Sequence, residues 1–241
     1  MKRTSPAADA IADGAANAAP QSDTAALADA LKFLGHDARE GHSSTLALLE
    51  LQRIKPDPMT LEQLMERVEQ NARRSLAAVD DFMDLAQARR QPLRIAEVDL
   101  ADLLVERVAD AWTLASRQGV HVQVTPGPDS VLVDVDRELF DAAVAKLLRG
   151  AIARAPKGAE IVCGLRLEGV SRCVLEVTEP APAVDSVVPP RRARRSSAGQ
   201  LLAQAVFGRH GGTVQIDSRP DGGQTLRMQM PCGNAPFGTG T

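Results

Sequence analysis

With 241 residues, 44% of them hydrophobic, the chain is long enough for one large domain or two small ones around a real core. Only 2% are aromatic, with one Trp and no Tyr, so that core is aliphatic and alanine-rich and leaves almost no platform for base stacking. The net charge of −3 removes any global attraction to nucleic acid or to an anionic membrane. Cys163, Cys173 and Cys232 form no CxxC and no other metal-ligand spacing, and read as reduced thiols. No apolar run reaches the roughly 18 residues that span a bilayer, and the first residues lack a signal-peptide core. The expectation is a soluble cytoplasmic protein.

Residues 1–22 are rich in Ala, Asp, Asn, Ser and Pro and predict a disordered leader. Residues 23–92 predict two long antiparallel helices. Asp23 or Thr24 caps the first, which runs to about Ile54 with apolar positions at Leu27, Leu31, Leu34, Ala38, Leu48 and Leu49. Lys55-Pro56-Asp57-Pro58 breaks it, and Thr60 caps the second. That helix carries Leu61, Leu64, Met65, Val68, Ala72, Leu76, Val79, Phe82, Met83 and Ala86 at spacings of three and four, and ends at Gln91-Pro92. Alone, such a hairpin leaves apolar surface open, so two copies are expected to form a homodimeric four-helix bundle.

Within the first helix, His36 sits about 200° around the axis from Leu34 and from Ala38, away from the apolar seam. Asp37 follows at once. A solvent-facing histidine on a rigid helix, beside a carboxylate that orients the ring and holds its proton, is the arrangement a phosphoryl acceptor needs. An ordinary surface histidine is the other reading of the same spacing.

After Pro92 the pattern changes. Leu93–Val98 alternates as a strand, and Asp99 caps a helix to about Gln118 carrying Leu103, Leu104, Val108, Trp112 and Leu114. Val120–Thr125 and Val131–Val135 read as strands around Pro126-Gly127-Pro128, and Asp136 caps a helix through Ile152. Glu160–Leu167 and Arg172–Thr178 form a β-hairpin. The Pro-, Arg- and Ser-rich residues 180–198 read as an irregular, mobile loop. Gly199–Arg209 is a helix, and Gly212–Asp217 with Thr225–Met230 closes the chain as a strand pair around Asp221-Gly222-Gly223. The fold class is α+β.

This order of elements resembles the transmitter core of bacterial two-component sensor histidine kinases. Phe33-Leu34-Gly35-His36-Asp37-Ala38-Arg39 is similar to the family's H-box, Asp136-Arg137-Glu138-Leu139 with Leu147-Leu148 to the approach to its N-box, and Arg209-His210-Gly211-Gly212 with Gly222-Gly223 to its closing segment. The resemblance implies a dimerisation and histidine phosphotransfer hairpin over 23–92, a Bergerat-type ATPase-like α/β sandwich over 93–231, and a tail over 232–241. His36 is then the phosphoacceptor, Asp37 its assistant, and Arg39 a contact to phosphate or receiver.

The departures point to a degenerate nucleotide site. Gly150 stands where the family has an Mg²⁺-binding asparagine, and glycine has no ligand atom. The adenine-facing glycine box reads Glu179-Pro180-Ala181-Pro182-Ala183, with Ala181 and Ala183 in place of glycines that let backbone approach the nucleotide. The second glycine box keeps Gly199 alone. Lys146, Arg149 and Arg154 share one helix edge and read either as a solvated basic face or as a metal-free phosphate clamp. Arg191-Arg192-Ala193-Arg194-Arg195 reads as a solvated lid or a docking patch rather than a DNA contact. Glu40 stands where many family members carry Thr or Asn, and Gly41 replaces a usual proline, so a kink below the histidine would come from flexibility.

The expected function is histidine phosphotransfer with response-regulator receiver domains as partners, Mg²⁺ supplied by the receiver, no cofactor of its own, and an upstream hybrid sensor kinase as a further partner. A non-catalytic scaffold docking a regulator or kinase, and an active kinase with a rebuilt nucleotide site, stand as alternatives.

Overall fold

A computed structural model describes residues 19–54, 59–181 and 197–233; in its first range the side chains described are those of residues 35, 36 and 39–54. The chain divides into two compact units, Met1–Asp80 and Asp81–Thr241.

The first unit holds α1 (Ala19–Ile54) and most of α2 (Leu61–Arg90). α1 starts at Ala19, ahead of the Asp23 or Thr24 cap and inside the stretch read as a leader. The alanine content that looks like low complexity also has the highest helix propensity. Residues 1–18 and the break at 55–58 lie outside the described residues. The expected cap at Thr60 is present as a reciprocal box: Gln63 N donates to Thr60 Oγ1 at 3.2 Å and Thr60 N to Gln63 Oε1 at 3.1 Å.

The helices meet at Gly41. A Cβ there would stand 2.2 Å from Ser75 Oγ and 2.8 Å from the Asn71 carbonyl. Gly41 and the 71–75 turn lie about equally far from the connection, so the helices run antiparallel. The glycine therefore serves close helix–helix approach, a role its sequence position alone does not show. Thr45 Oγ1 donates back to the Gly41 carbonyl at 2.9 Å. Leu64, Asn71, Ser75 and Ala78 are buried on α2, while Leu46, Ile54, Leu61, Met65 and Leu76 are exposed.

The second unit is a two-layer sandwich. β1 (Ile95–Asp99) pairs antiparallel with β3 (Leu132–Asp136). β2 (His121–Val124), β4 (Glu160–Leu167), β5 (Arg172–Glu179), β6 (Thr213–Ser218) and β7 (Gln224–Pro231) make a mixed sheet in the order β2-β4-β5-β7-β6, parallel only at β2–β4. Rows such as Leu165–Leu175–Met228–Val214 and Cys163–Val177–Leu226–Ile216 cross four strands on the core face. The other face carries a charged ladder in which Arg227 meets Glu176 and Asp217, and Arg166 meets Glu168 and Glu176. That alternation is the signature of a sheet with one solvated face. α3 (Leu100–Gln118), α4 (Arg137–Arg154) and α5 (Ala198–Arg209) bring Leu103, Leu104, Phe140, Leu148 and Phe207 to the same core.

The starts of α3 and α4 are fixed by carboxylates, as their sequence positions predict. Asp99 accepts from Ala101 N at 2.9 Å and from Val131 N at 3.1 Å. Asp136 accepts from Leu139 N at 3.2 Å and from Arg94 N at 2.8 Å. Burial pushes against ionisation at Asp136, and these backbone donors outweigh it, so its pKa lies below the ordinary value. β2 begins at His121 rather than Val120, because Val120 N donates to the Ala115 carbonyl and completes the C-terminal turn around Gly119, which is left-handed at φ 66°. Pairing also runs past the expected end at 231: Cys232 N donates to Ser171 O at 3.0 Å and Gly233 N to Leu132 O at 3.2 Å.

The division between units falls inside α2 and not at Pro92, because the last turns of α2 are held by the second unit's own side chains. Lys146 on α4 bonds Asp81 at 2.7 Å and Asp84. Arg209 at the end of α5 donates to the Ala88 carbonyl at 2.6 Å and the Gln91 carbonyl at 2.8 Å, satisfying acceptors that a helix C-terminus leaves open.

Candidate functional site

His36 lies within α1 and is exposed, as are Gly35 before it and Arg39 one turn on. Open space surrounds the position a Gly35 Cβ would take. Arg39 is three residues from His36, so both occupy one flank of the helix. Glu40 is half-buried. The side chain of Asp37 lies outside the described residues.

In the second unit, the positions singled out in the sequence come together at the end of β5. Glu179 is 3% exposed. Arg154, the last residue of α4, donates from Nη2 to Glu179 Oε1 at 2.9 Å and Oε2 at 2.8 Å, with Nε at 3.3 Å from Oε2. Gln224 opens β7 directly opposite Glu179 and adds a donor to Oε2 at 3.0 Å. A buried carboxylate is tolerated only when paired and hydrogen-bonded, and this one is both. Gly150 stands one turn before Arg154: a Cβ on it would be 3.0 Å from Arg154 Nη1, so the guanidinium lies over the glycine. The Gly222-Gly223 turn presses on the same place. A Cβ on Gly223 would meet the Glu179 carbonyl at 2.5 Å, and one on Gly222 would lie 3.5 Å from Ala181 Cβ. Pro182, Ala183 and the run Arg191–Arg195 lie outside the described residues.

Two further sequence features find their places. The three-cation edge of α4 does not form a clamp. Lys146 is committed to Asp81 and Asp84, Arg154 to Glu179, and Arg149 is exposed with a 3.4 Å bond to the Ala145 carbonyl of its own helix. Burial alone would lower the Lys146 pKa; the two aspartates outweigh it and hold the pKa above the ordinary value. Gly199, kept from the second glycine box, is buried against α4: a Cβ would stand 2.8 Å from the Lys146 carbonyl and 3.0 Å from Leu147 N. It serves helix packing here.

Gln224 and the partnership of Arg154 with Glu179 escaped the sequence reading. Nothing local signals a pair joined only when α4, β5 and β7 assemble. The cap of α5 did carry a signal. Ser197 and Gln200 form a reciprocal box, with Ser197 N donating to Gln200 Oε1 at 2.8 Å and Gln200 N to Ser197 Oγ at 3.3 Å, and their spacing of three is the S-x-x-Q signature.

No family model matches the chain. Sensor histidine kinase TrcS of Mycobacterium tuberculosis is 28% identical over 194 residues, covering 72% of this chain and 37% of that protein. Sensor protein CutS of Streptomyces coelicolor is 25% identical over 218 residues, covering 83% and 52%. The chain thus spans about a third to a half of the length of these curated relatives. Among solved structures, histidine kinase ThkA in complex with response regulator protein TrrA has a TM-score of 0.66 at 12% identity, covering 88% of this chain and 63% of that one. Acinetobacter baumannii histidine kinase AdeS has a TM-score of 0.60 at 14% identity, covering 83% and 98%. The fold is that of a histidine kinase.

Within this histidine kinase fold, the residues at the motif positions do not fit a metal–nucleotide complex. Gly150 offers no oxygen donor, and the group beside it is the Arg154 guanidinium, a cation that repels a divalent metal. Glu179, which the sequence reading sets at the adenine-facing acid, has both oxygens engaged by Arg154 and Gln224. Among the described residues no group of three or more His, Cys, Asp or Glu side chains is arranged to hold a metal ion, and no helix is long and apolar enough to cross a membrane.

Proposed function

We propose that the chain carries a phosphoryl group on His36 and exchanges it with the aspartate of response-regulator receiver domains. The observation that carries this reading is the closure of the Gly150–Glu179 position by the chain's own Arg154 and Gln224. With that position taken by an internal ion pair, the reading rests on His36, an exposed histidine on a helix with Gly35 and Arg39 exposed beside it.

In the transfer, the lone pair of a neutral His36 ring nitrogen attacks the phosphorus of the receiver's aspartyl phosphate. The nitrogen–phosphorus bond forms as the phosphorus–oxygen bond to the aspartate breaks, and the carboxylate leaves with that electron pair. The ring becomes cationic, and Asp37 holds its remaining N–H proton. Arg39, exposed one turn on, faces the charge of the incoming phosphoryl group. The receiver brings the Mg²⁺ that neutralises the phosphate, so this chain needs none. The exposed Leu46, Leu61, Met65 and Leu76 of the hairpin support a homodimer built as a four-helix bundle. ThkA, solved with a response regulator, supports the choice of partner. An upstream hybrid kinase as phosphate donor and a cytoplasmic setting belong to the same proposal.

The named relatives favour a second reading, an autokinase with a rebuilt nucleotide site. Incubation of the chain with a radiolabelled phospho-receiver, beside calorimetric titration with ATP with and without Mg²⁺, separates the two. Phosphotransfer predicts label on the chain that is lost in His36→Ala, and no heat at millimolar ATP. Mg²⁺-dependent ATP binding with His36-dependent self-labelling selects the kinase. Label that survives His36→Ala overturns both.

A further inference from the structure

The spacing puts Trp112, the only tryptophan of the chain, among the apolar positions of its helix, yet it is 68% exposed. Core contact on α3 comes from Leu103, Leu104, Ala111 and Ala115. Val105 and Trp112, seven residues apart, fall within about 20° of each other on a different flank, with exposed Ala109 beside them and half-buried Val108 at its edge with the core. Val105 is 55% exposed. A large exposed aromatic in line with an exposed valine on one helix face is the kind of surface that partners use.

Val105 also lines a groove, and Trp112 stands two helical turns beyond it on the same flank. Val105 forms one wall with Asp102, and Val124, Pro128 and Leu165 form the other with Asp129. The far wall is fixed in place. Thr125 N donates to the Cys163 carbonyl at 2.8 Å, carrying the β2–β4 pairing past the strand, and a Cβ on Gly127 would be 2.5 Å from the Leu165 carbonyl. The 125–128 segment therefore lies flat on β4, and the groove is preformed. Its rim is anionic. Among the described residues Asp102 and Asp129 make no ion pair, in contrast to the neighbouring Glu106, which is held by Arg137 at 2.7 Å and Arg107 at 3.6 Å.

We propose that this groove docks a basic amphipathic helix of a partner protein. Apolar side chains of that helix would seat on Val105 and Trp112, whose seven-residue spacing suits helix-in-groove packing, and its Lys or Arg side chains would pair with Asp102 and Asp129. A second copy of this chain fits poorly, since two such grooves would set the same carboxylates against each other. The proposal concerns the second unit and is independent of chemistry at His36.

Trp112 is its own reporter. The full chain is titrated with a synthetic leucine–lysine peptide patterned as an amphipathic helix, and with a leucine–glutamate peptide of the same pattern, while tryptophan emission is followed. The expected result is a saturable shift to shorter wavelength with the lysine peptide alone. Asp102→Asn/Asp129→Asn weakens it about tenfold, and Val105→Glu abolishes it with far-ultraviolet circular dichroism unchanged. No shift, equal shifts with both peptides, or a shift that survives Val105→Glu overturns the proposal. A shift that grows with protein concentration and no peptide assigns the groove to a second copy and overturns it equally.

Discussion

Nη2 of Arg154 meets both oxygens of Glu179, at 2.9 and 2.8 Å, joining the last residue of α4 to the last residue of β5. The carboxylate is nearly inaccessible and the arginine side chain about one-third exposed. Breaking one side of such a pair strands a buried charge, whereas removing both sides does not. Arg154→Met is expected to cost about 3 kcal/mol, and Arg154→Met/Glu179→Leu to recover most of that loss. Urea unfolding of the two variants checks it. Equal losses would mean that the ion pair contributes nothing beyond its packing.

Gly199 and Gly208 both lie on α5 and offer opposite signs for one substitution. Alanine in place of a helical glycine gains up to about 1 kcal/mol where there is room. Nothing approaches within 4 Å of a Cβ on Gly208, so Gly208→Ala is expected to raise the melting temperature. At Gly199 the added carbon meets the backbone of Lys146 and Leu147, which cannot swing away, and Gly199→Ala is expected to lose about 2 kcal/mol. Differential scanning calorimetry of both variants reads the contrast directly. A stabilised Gly199→Ala would free that residue from its packing role.

The second unit should be alkali-labile through two thiols. Burial, reinforced by the charge of Glu179, pushes Cys163 up to about 12, and burial beside Cys232 pushes Cys173 up to about 12. An unfolded cysteine ionises near about 8.5. Between those values the native state holds protons that the unfolded chain has released, so stability is complete below about pH 8.5 and falls as pH rises, by up to about 1.4 kcal/mol per unit for each thiol. Denaturant unfolding at pH 8 and pH 10 measures the slope. Cys163→Ala should flatten it, and an unchanged slope would place the alkaline loss elsewhere.

The parts of this fold that showed in the sequence are those written locally. The alternation of Glu160–Leu167 is β4 to the residue, and Asp99, Asp136 and Thr60 cap the helices they precede. The α+β class followed from that punctuation. What stayed hidden depends on partners distant along the chain. Gly41 shows no close neighbour in the sequence until Ser75 and Asn71 stand against it, and Gly199 reads as the last glycine of a degenerate box until α4 packs on it. Arg154 reads as one of three cations on a helix edge, and only the placement of β5 and β7 turns it into the group that covers Gly150. Trp112 misleads for the opposite reason: helical spacing says that a residue shares a flank with other apolar side chains, not whether the protein has anything to put over that flank.

The grip of Lys146 and Arg209 on α2 bears on how this polypeptide is to be cut. A fragment begun at Leu93, where prolines and helix periodicity suggest a clean break, discards Asp81 and Asp84 and the carbonyls of Ala88 and Gln91. It leaves an ammonium and a guanidinium facing nothing. A fragment begun a turn ahead of Asp81 keeps every one of those acceptors. The last turns of α2 are therefore part of the second unit's own structure, and a fragment meant to keep that unit whole has to carry them.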